Sequence, residues 1–130
     1  MIHWNLERAD KEFSLFVRKR DGRCMNPMCH NGLYRGAEPA QLENSHFWPR
    51  GDLIARFDPE NCMALCHGCH SAWENTKQGK YRDLMIQWLG LRRYKALEKR
   101  VEDYKFKNQP QLKLDTEIKK IREFLQNEKV

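Results

Sequence analysis

One ten-residue stretch decides the fold of this chain: residues 61–70 read Asn-Cys-Met-Ala-Leu-Cys-His-Gly-Cys-His. Within it, two residues separate Cys66 from Cys69, the spacing at which two thiolates reach one tetrahedral metal ion. Upstream, Cys24 and Cys29 form a looser pair. Together the four cysteines predict a structural Zn²⁺ site that closes a loop of about forty residues.

The fifth cysteine, Cys62, is expected to be a small buried residue rather than a ligand. Residues 66–70 also fit the Cys-x-x-Cys-His pattern of covalent haem attachment. That attachment requires export, whereas the N-terminal residues lack a charged segment followed by an apolar run. It also leaves Cys24 and Cys29 without a role. We therefore predict reduced thiols that bind zinc in the cytoplasm.

The net charge of +6 is unevenly distributed along the chain. Residues 24–76 carry −3, whereas residues 77–107 carry +6, from ten Lys or Arg and four acidic residues. An acidic segment suits the binding of cations, and a basic segment suits the binding of polyanions. The alternative for the basic run is a solvated helix face. No apolar run is long enough to cross a membrane, so no membrane association is expected.

The local patterns predict an α+β fold. Residues 7–20 read as a helix whose basic last turn, Arg18-Lys19-Arg20, suits the helix dipole and is also able to meet phosphate. Two short strands are expected, Leu42–Phe47 and Leu53–Phe57, joined by a turn. A short helix is expected from Cys69 to Asn75.

Three more helices are expected: Tyr81–Leu89, Leu91–Tyr104 and one that carries Leu114 to Leu125. The last two have apolar stripes at helical spacing, so each helix buries one face. The stripes pack either on the same chain or, in a homodimer, on the C-terminal helices of a second copy. These elements divide the chain into an N-terminal helix (1–23), a zinc-stabilised core (24–76) and a basic helical extension (77–130).

Three further residues point to chemistry: His46 in the first predicted strand, Asn61 after the second, and His70 in the short helix. Metal-assisted hydrolysis of a phosphodiester needs a base that takes a proton from water. It also needs an ion that neutralises charge at the scissile phosphate. Histidine suits the first task because imidazole titrates near neutral pH. A histidine on a strand that faces a ligand on a helix is the arrangement this reaction requires.

Cys24, Cys29, His46, Asn61 and the motif at residues 66–70 together resemble the HNH nucleases. The adjoining residues read Ser-His-Phe-Trp-Pro-Arg-Gly from position 45 and Arg-Phe-Asp-Pro-Glu-Asn-Cys from position 56. In these segments the chain is most similar to the phage NinG (Rap) recombination nucleases. The resemblance covers about residues 24–90 and implies a small ββα-metal (His-Me finger) core with a four-cysteine zinc site, flanked by N-terminal and C-terminal helices.

The resemblance also implies an activity, that of a metal-dependent DNA endonuclease. In it, His46 is the general base that activates water. Asn61 fixes the loop, and so the orientation of His46, through hydrogen bonds to the backbone. His70 is a ligand of one divalent ion, Mg²⁺ or Mn²⁺, although a histidine ligand also suits zinc or nickel.

One position departs from the family pattern. Many HNH nucleases have an Asp or His ligand immediately before the general base, and here that position is Ser45, a poor ligand. NinG-like sequences also tend to have a small residue there. Two other carboxylates are candidates for the same ion: Glu74, on the helix face of His70, and Glu43, on the strand face of Ser45.

Basic side chains near the motif are expected to position phosphates without reading sequence. They are Arg50, Arg56, Lys77, Lys80, Arg82, Arg92, Arg93 and Lys95. No long recognition helix stands out, so we expect DNA to be recognised by its shape, as branched or nicked duplex. The resemblance points to recombination intermediates of a phage or prophage, in a bacterial cytoplasm. Two alternatives keep the zinc but not the reaction: a zinc-dependent DNA-binding module and a zinc ribbon that binds protein.

Overall fold

A computed structural model of the chain describes residues 3–27, 29, 41–49, 53–73, 79–106 and 113–128, with the backbone alone for 105 and 106. It is an α+β fold, mostly helical, with one two-stranded antiparallel sheet. No helix among these residues has the length and apolar character needed to cross a membrane. In chain order the elements are α1 (Leu6–Asp21), β1 (Glu43–His46), α2 (Leu53–Arg56), a 3-10 turn (Pro59–Asn61), β2 (Cys62–Leu65), α3 (His67–Trp73), α4 (Lys80–Leu89), α5 (Leu91–Phe106) and α6 (Leu114–Glu128).

The sheet pairs β1 with β2, which places His46 opposite Cys62. The predicted first strand is confirmed, but the predicted second strand, Leu53–Phe57, is wrong. Residues 53–56 form a single helical turn, and the chain enters the sheet only at Cys62. All four residues of β2 are buried, so both faces of this strand are covered and its sequence is an apolar run without alternation.

Helix α1 begins and ends where the sequence predicts. The side chain of Asn5 accepts a hydrogen bond from the Arg8 amide at 2.8 Å and so caps the first turn. Gly22 ends the helix in the left-handed conformation, with φ 67°, which a residue without Cβ adopts at little cost. The predicted helices α4, α5 and α6 are also confirmed. Helix α3 begins two residues earlier than expected, and residues 74 and 75 lie outside the described residues.

Two apolar clusters lie against β2. The first joins α1 to α6 and includes only Cys62 from the strand. Its buried members are Ala9, Phe13, Val17, Cys62, Ile118, Ile121 and Leu125. The second joins the rest of β2 to α4 and α5. Its largest fully buried members are Met63, Leu65, Met85, Tyr94, Leu97 and Val101.

The apolar stripes of α5 and α6 therefore pack on the same chain. Tyr94 and Leu97 are 1% and 0% exposed, and Ile121 is 4% exposed. The apolar side chains on which a homodimer was expected to form are therefore buried within one chain. The oligomeric state itself stays a prediction.

Ion pairs also attach α5 to the 3-10 turn before β2. Arg93 Nε donates to Glu60 Oε2 at 2.7 Å, and Arg100 Nη2 donates to Asp58 Oδ2 at 2.9 Å and to Glu60 Oε1 at 3.0 Å. Partial burial of Glu60 opposes its ionisation, but the two arginines outweigh this effect and lower the pKa of its carboxyl. Part of the positive charge of α5 therefore attaches this helix to the turn before β2.

The end of α1 is attached to the start of β2 by two neighbouring side chains. The Arg20 guanidinium donates to the carbonyls of Pro59 at 2.9 Å and Cys62 at 2.7 Å, and it lies over the Trp88 ring. The Asp21 carboxylate accepts from the Ala64 amide at 2.8 Å. Charged groups that bond to backbone in this way contribute more than neutral pairs.

Replacing Arg20 by alanine should therefore lower the free energy of unfolding by about 2–3 kcal/mol, because two backbone carbonyls lose a charged donor. Urea unfolding followed by circular dichroism measures this change. Lys19→Ala is the matched control, since Lys19 is exposed on the same turn and should change stability by less than about 0.5 kcal/mol. Equal effects of the two substitutions would contradict the attachment.

Candidate functional site

The four predicted zinc ligands come together in space. The Sγ atoms of Cys24, Cys29, Cys66 and Cys69 all lie within 4.8 Å of one another, and those of Cys29 and Cys66 are 3.7 Å apart. In a tetrahedral site with Zn–S distances of about 2.3 Å, neighbouring sulfurs are about 3.8 Å apart. The cluster therefore fits a structural metal ion such as zinc.

Protonation within the cluster is uneven. Burial opposes ionisation of Cys66, but hydrogen bonds from the Cys69 amide and from the neighbouring thiols outweigh it and lower the pKa of Cys66. Burial raises the pKa of Cys24 and of Cys69. The amide of the Asn26 side chain donates to Cys69 Sγ at 3.4 Å, a contact that suits a thiolate. Nothing in the sequence singles out Asn26 for this contact.

The cluster also fixes the start of α3. The backbone amide of His70 donates to the carbonyl of Cys66 at 2.9 Å, in the first turn of that helix. On the other side, the Met25 amide donates to the Ala64 carbonyl at 2.9 Å and ties the first cysteine loop to β2. The thiols thus hold the helix that carries His70 against the sheet that carries His46.

The fifth cysteine is not part of the cluster. Cys62 is 0% exposed and packs with α1 and α6, as the sequence predicts. Burial raises its pKa well above the ordinary value of a thiol, so it stays neutral.

Beside the cluster lies a cleft of about 530 Å³ between α1 and the sheet. It is lined by His46 and His70, the two predicted histidines of the site, and by Glu43 of β1. Helix α1 contributes Asp10, Phe13, Ser14 and Arg18 to the same cleft. Only Arg18 among these has a signal in the sequence, the basic last turn of α1.

His46 has one nitrogen fixed by the backbone. Its Nε2 lies 3.0 Å from the carbonyl oxygen of Arg56. Because a carbonyl oxygen only accepts, Nε2 is the donor in this bond, and in the neutral ring the lone pair is on Nδ1. The carbonyl therefore selects the tautomer of the imidazole.

Asn61 is fully buried, and its side chain bonds only to backbone among the contacts described. Its Oδ1 accepts from the Trp48 amide at 2.8 Å, and its Nδ2 donates to the carbonyls of Trp48 at 2.9 Å and Ala55 at 3.1 Å. The Asn61 carbonyl also accepts from the Phe47 amide at 2.8 Å. One side chain thus joins the residues after β1 to α2, the turn that carries the carbonyl for His46.

A carboxylate links the two histidines of α3. Glu43 Oε1 is 2.8 Å from His70 Nδ1, and Glu43 Oε2 is 3.1 Å from His67 Nδ1. Burial opposes ionisation of Glu43, but the bonds from His70 and His67 outweigh it and lower the pKa of the carboxyl. Because an ionised carboxylate only accepts, His70 Nδ1 is the donor in its bond to Glu43, and in the neutral ring the lone pair of His70 is on Nε2.

Ser45, the position where a family ligand is usual, is used inside the protein. It is 1% exposed, and its hydroxyl lies 2.6 Å from the Tyr81 hydroxyl. Burial raises the pKa of Tyr81, so the pair is neutral. Tyr81 belongs to α4, so the Ser45 hydroxyl is bonded to a helix that follows the cysteine cluster in the chain. The other candidate ligand, Glu74, lies outside the described residues.

The predicted phosphate contacts divide into three groups. Arg50 and Lys77 lie outside the described residues. Arg56 forms a two-pronged ion pair with Asp10, and Arg93 is paired with Glu60. The remaining ones are exposed on α4 and α5 and are Lys80, Arg82, Arg92 and Lys95. Arg82 lies over the Tyr94 ring, and Lys95 pairs with Glu98 at 3.4 Å.

Comparison of the chain with models of protein families, with curated proteins and with solved structures finds no match. The resemblance to nucleases therefore depends on the motif residues of the sequence alone.

Purified protein should contain one zinc ion per chain, measured by elemental mass spectrometry. Cys29→Ser should lose the ion and, with it, much of the helical signal in circular dichroism, because the core around the cluster depends on the metal. Cys62→Ala is the matched control. It should keep one ion and lose only about 1–2 kcal/mol of stability, since it removes one buried sulfur. Full zinc content in Cys29→Ser would contradict the site.

Proposed function

We propose that the chain is a metal-dependent DNA endonuclease of the HNH type, which hydrolyses phosphodiester bonds. One observation carries the proposal: the same cleft is lined by His46, whose tautomer a backbone carbonyl selects, and by the Glu43–His70 pair. Asn61 bonds to the backbone of Trp48, after β1, and of Ala55, in α2, in the manner the resemblance implies.

The ion of this reaction would be held by Glu43 and His70, with Ser45 excluded by its bond to Tyr81. Bound there, a divalent ion such as Mg²⁺ or Mn²⁺ supplies positive charge against the scissile phosphate and the leaving oxygen. Glu43 replaces the ligand that the family pattern has next to the base. The carboxylate ligand is thus two positions earlier in β1 than Ser45, and the site keeps an oxygen ligand.

His46 performs the proton transfer. Its Nδ1 takes a proton from water, and the water oxygen forms a bond to phosphorus while the bond from phosphorus to the leaving oxygen breaks. The positive charge that His46 gains is stabilised by the Arg56 carbonyl, which accepts from Nε2.

The proposed substrate is DNA with a branched or nicked structure, such as a recombination intermediate of a phage in its bacterial host. Support comes from the exposed basic residues of α4 and α5, which position phosphates without reading bases. Four thiols that share an ion require reducing conditions, so the proposed compartment is the cytoplasm.

The second candidate is a zinc-dependent DNA-binding module that does not cleave. The observation in its favour is Ser45, because the family's ligand position is occupied here by a buried hydroxyl. Both candidates predict DNA binding, so only a cleavage assay separates them.

The assay uses linear, nicked, flapped and four-way DNA, each with Mg²⁺, Mn²⁺, Zn²⁺ or Ni²⁺. Wild-type protein should cut at least one substrate, and His46→Ala should lose about 100-fold or more in rate, because general-base catalysis contributes at least that factor. His3→Ala is the matched control. His3 is exposed and outside the cleft, and its removal should leave the rate unchanged. Intact DNA under all conditions would favour the binding module.

Binding should weaken steeply with salt, since basic residues that contact phosphate release counterions. In a Lys80→Ala, Arg92→Ala double variant, the slope of log K against log salt should decrease by about 2, equally for unrelated sequences. Fluorescence anisotropy with a labelled duplex measures the slope. Lys113→Ala, an exposed lysine at the start of α6, should leave it unchanged. An equal change in the control would move the DNA surface away from α4 and α5.

A further inference from the structure

We propose that Asp10, on helix α1, is a positioning residue for His46 and acts through Arg56. This inference rests on the proposed function, because it concerns the histidine that the function uses as its base. A continuous series of contacts carries it, from a carboxylate on α1 to the imidazole at the end of β1.

The first contact is the ion pair between Asp10 and Arg56. Arg56 Nε donates to Asp10 Oδ1 at 2.9 Å, and Nη2 donates to Oδ2 at 2.5 Å, so both prongs of the guanidinium are engaged. The two side chains are 23% and 16% exposed. A two-pronged pair with this degree of burial fixes the arginine in one geometry more firmly than a surface pair does.

The second contact leads from Arg56 to the base. Arg56 is the last residue of α2, and its carbonyl accepts the bond from His46 Nε2. The preceding carbonyl, of Ala55, accepts from Asn61 Nδ2. A helix of four residues has little stability of its own, so the carbonyls stay in place only if the turn is held from outside. The Asp10 ion pair holds it at its end.

A parallel contact shows that α1 faces this turn with more than one side chain. The Phe13 ring is 6.5 Å from the His46 ring and meets Phe57, the residue after α2, edge to face at 5.8 Å. Phe13 is 1% exposed, so the packing fixes the distance between α1 and α2. Within this packing, the ion pair with Asp10 fixes the position of Arg56 along α1.

This arrangement gives Arg56 a different role from the phosphate contact expected from the sequence. Loss of a phosphate contact weakens substrate binding and raises KM. Loss of the Asp10 pair should instead lower kcat, because Arg56 turns towards water and its carbonyl no longer selects the Nε2–H tautomer of His46.

The test measures the imidazole directly, by ¹⁵N NMR of histidine-labelled protein, together with kcat and KM in the cleavage assay. In wild type, His46 should show one protonated nitrogen, Nε2, and one lone-pair nitrogen, Nδ1. In Asp10→Asn, the two shifts should move towards their average, and kcat should fall by about 10-fold to 100-fold with little change in KM. Asp10→Glu keeps the carboxylate and should restore most of both signals.

Asp103→Asn is the matched control, because it makes the same chemical change in the exposed Lys99–Asp103 pair of α5. It should leave the His46 spectrum and kcat unchanged. An Asp10→Asn spectrum identical to that of the control overturns the proposal. If Asp10→Asn does not fold, Arg56→Lys tests the same contact, and an unshifted His46 spectrum there also overturns it. If the His46 spectrum shifts in Asp10→Asn but the wild-type protein cuts no DNA, the positioning role is supported and the nuclease is rejected.

Discussion

Four sulfur atoms lie within 4.8 Å of one another, and the rest of the structure depends on how their charges are balanced. Thiolates at this distance repel, and neutral thiols offer only weak hydrogen bonds, so a shared cation is the arrangement that makes the cluster favourable. The ion would join two segments that are about forty residues apart in the chain. Because the second segment begins α3, the same ion would fix the helix that carries His70.

The elements around the cleft are too short to be stable alone. The two strands have four residues each, and α2 is a single turn. Their stability comes from the two clusters that meet at β2 and from polar bonds that join one short element to the next. Asn61 is the clearest case, because its buried side chain bonds to the backbone after β1 and to the backbone of α2. A metal ion in the cysteine cluster would join short elements after β2, as Asn61 joins them before β2.

Much of this fold can be predicted from local sequence, because helices are indicated by the periodic spacing of apolar residues and by the residues at their ends. Gly22 ends α1, and Gly90 separates α4 from α5. The cysteine cluster can be predicted from the spacing of the cysteines, because Cys66 and Cys69 supply two thiols and a tetrahedral zinc site needs four ligands. The predicted second strand is misplaced because residues 53–57 also contain four apolar side chains, although Arg56 interrupts them. Local pattern does not show that both faces of the later segment are covered.

The parts that could not be predicted are long-range polar pairs. Ser45 bonds to Tyr81, and Arg56 pairs with Asp10, across 36 and 46 residues of chain. The sequence predicts a metal-ligand position for Ser45 and a DNA phosphate contact for Arg56, because each residue type suits that role. The true partners, Tyr81 and Asp10, are too distant in the chain to leave a local signal. The same pairs bear on where the site ends. A boundary at residue 23 separates the N-terminal helix from the core, yet Asp21 bonds to the Ala64 amide and Asp10 holds the turn behind His46. Helix α1 is therefore a wall of the cleft, and its sequence should be constrained by the chemistry as much as that of the cysteine motif.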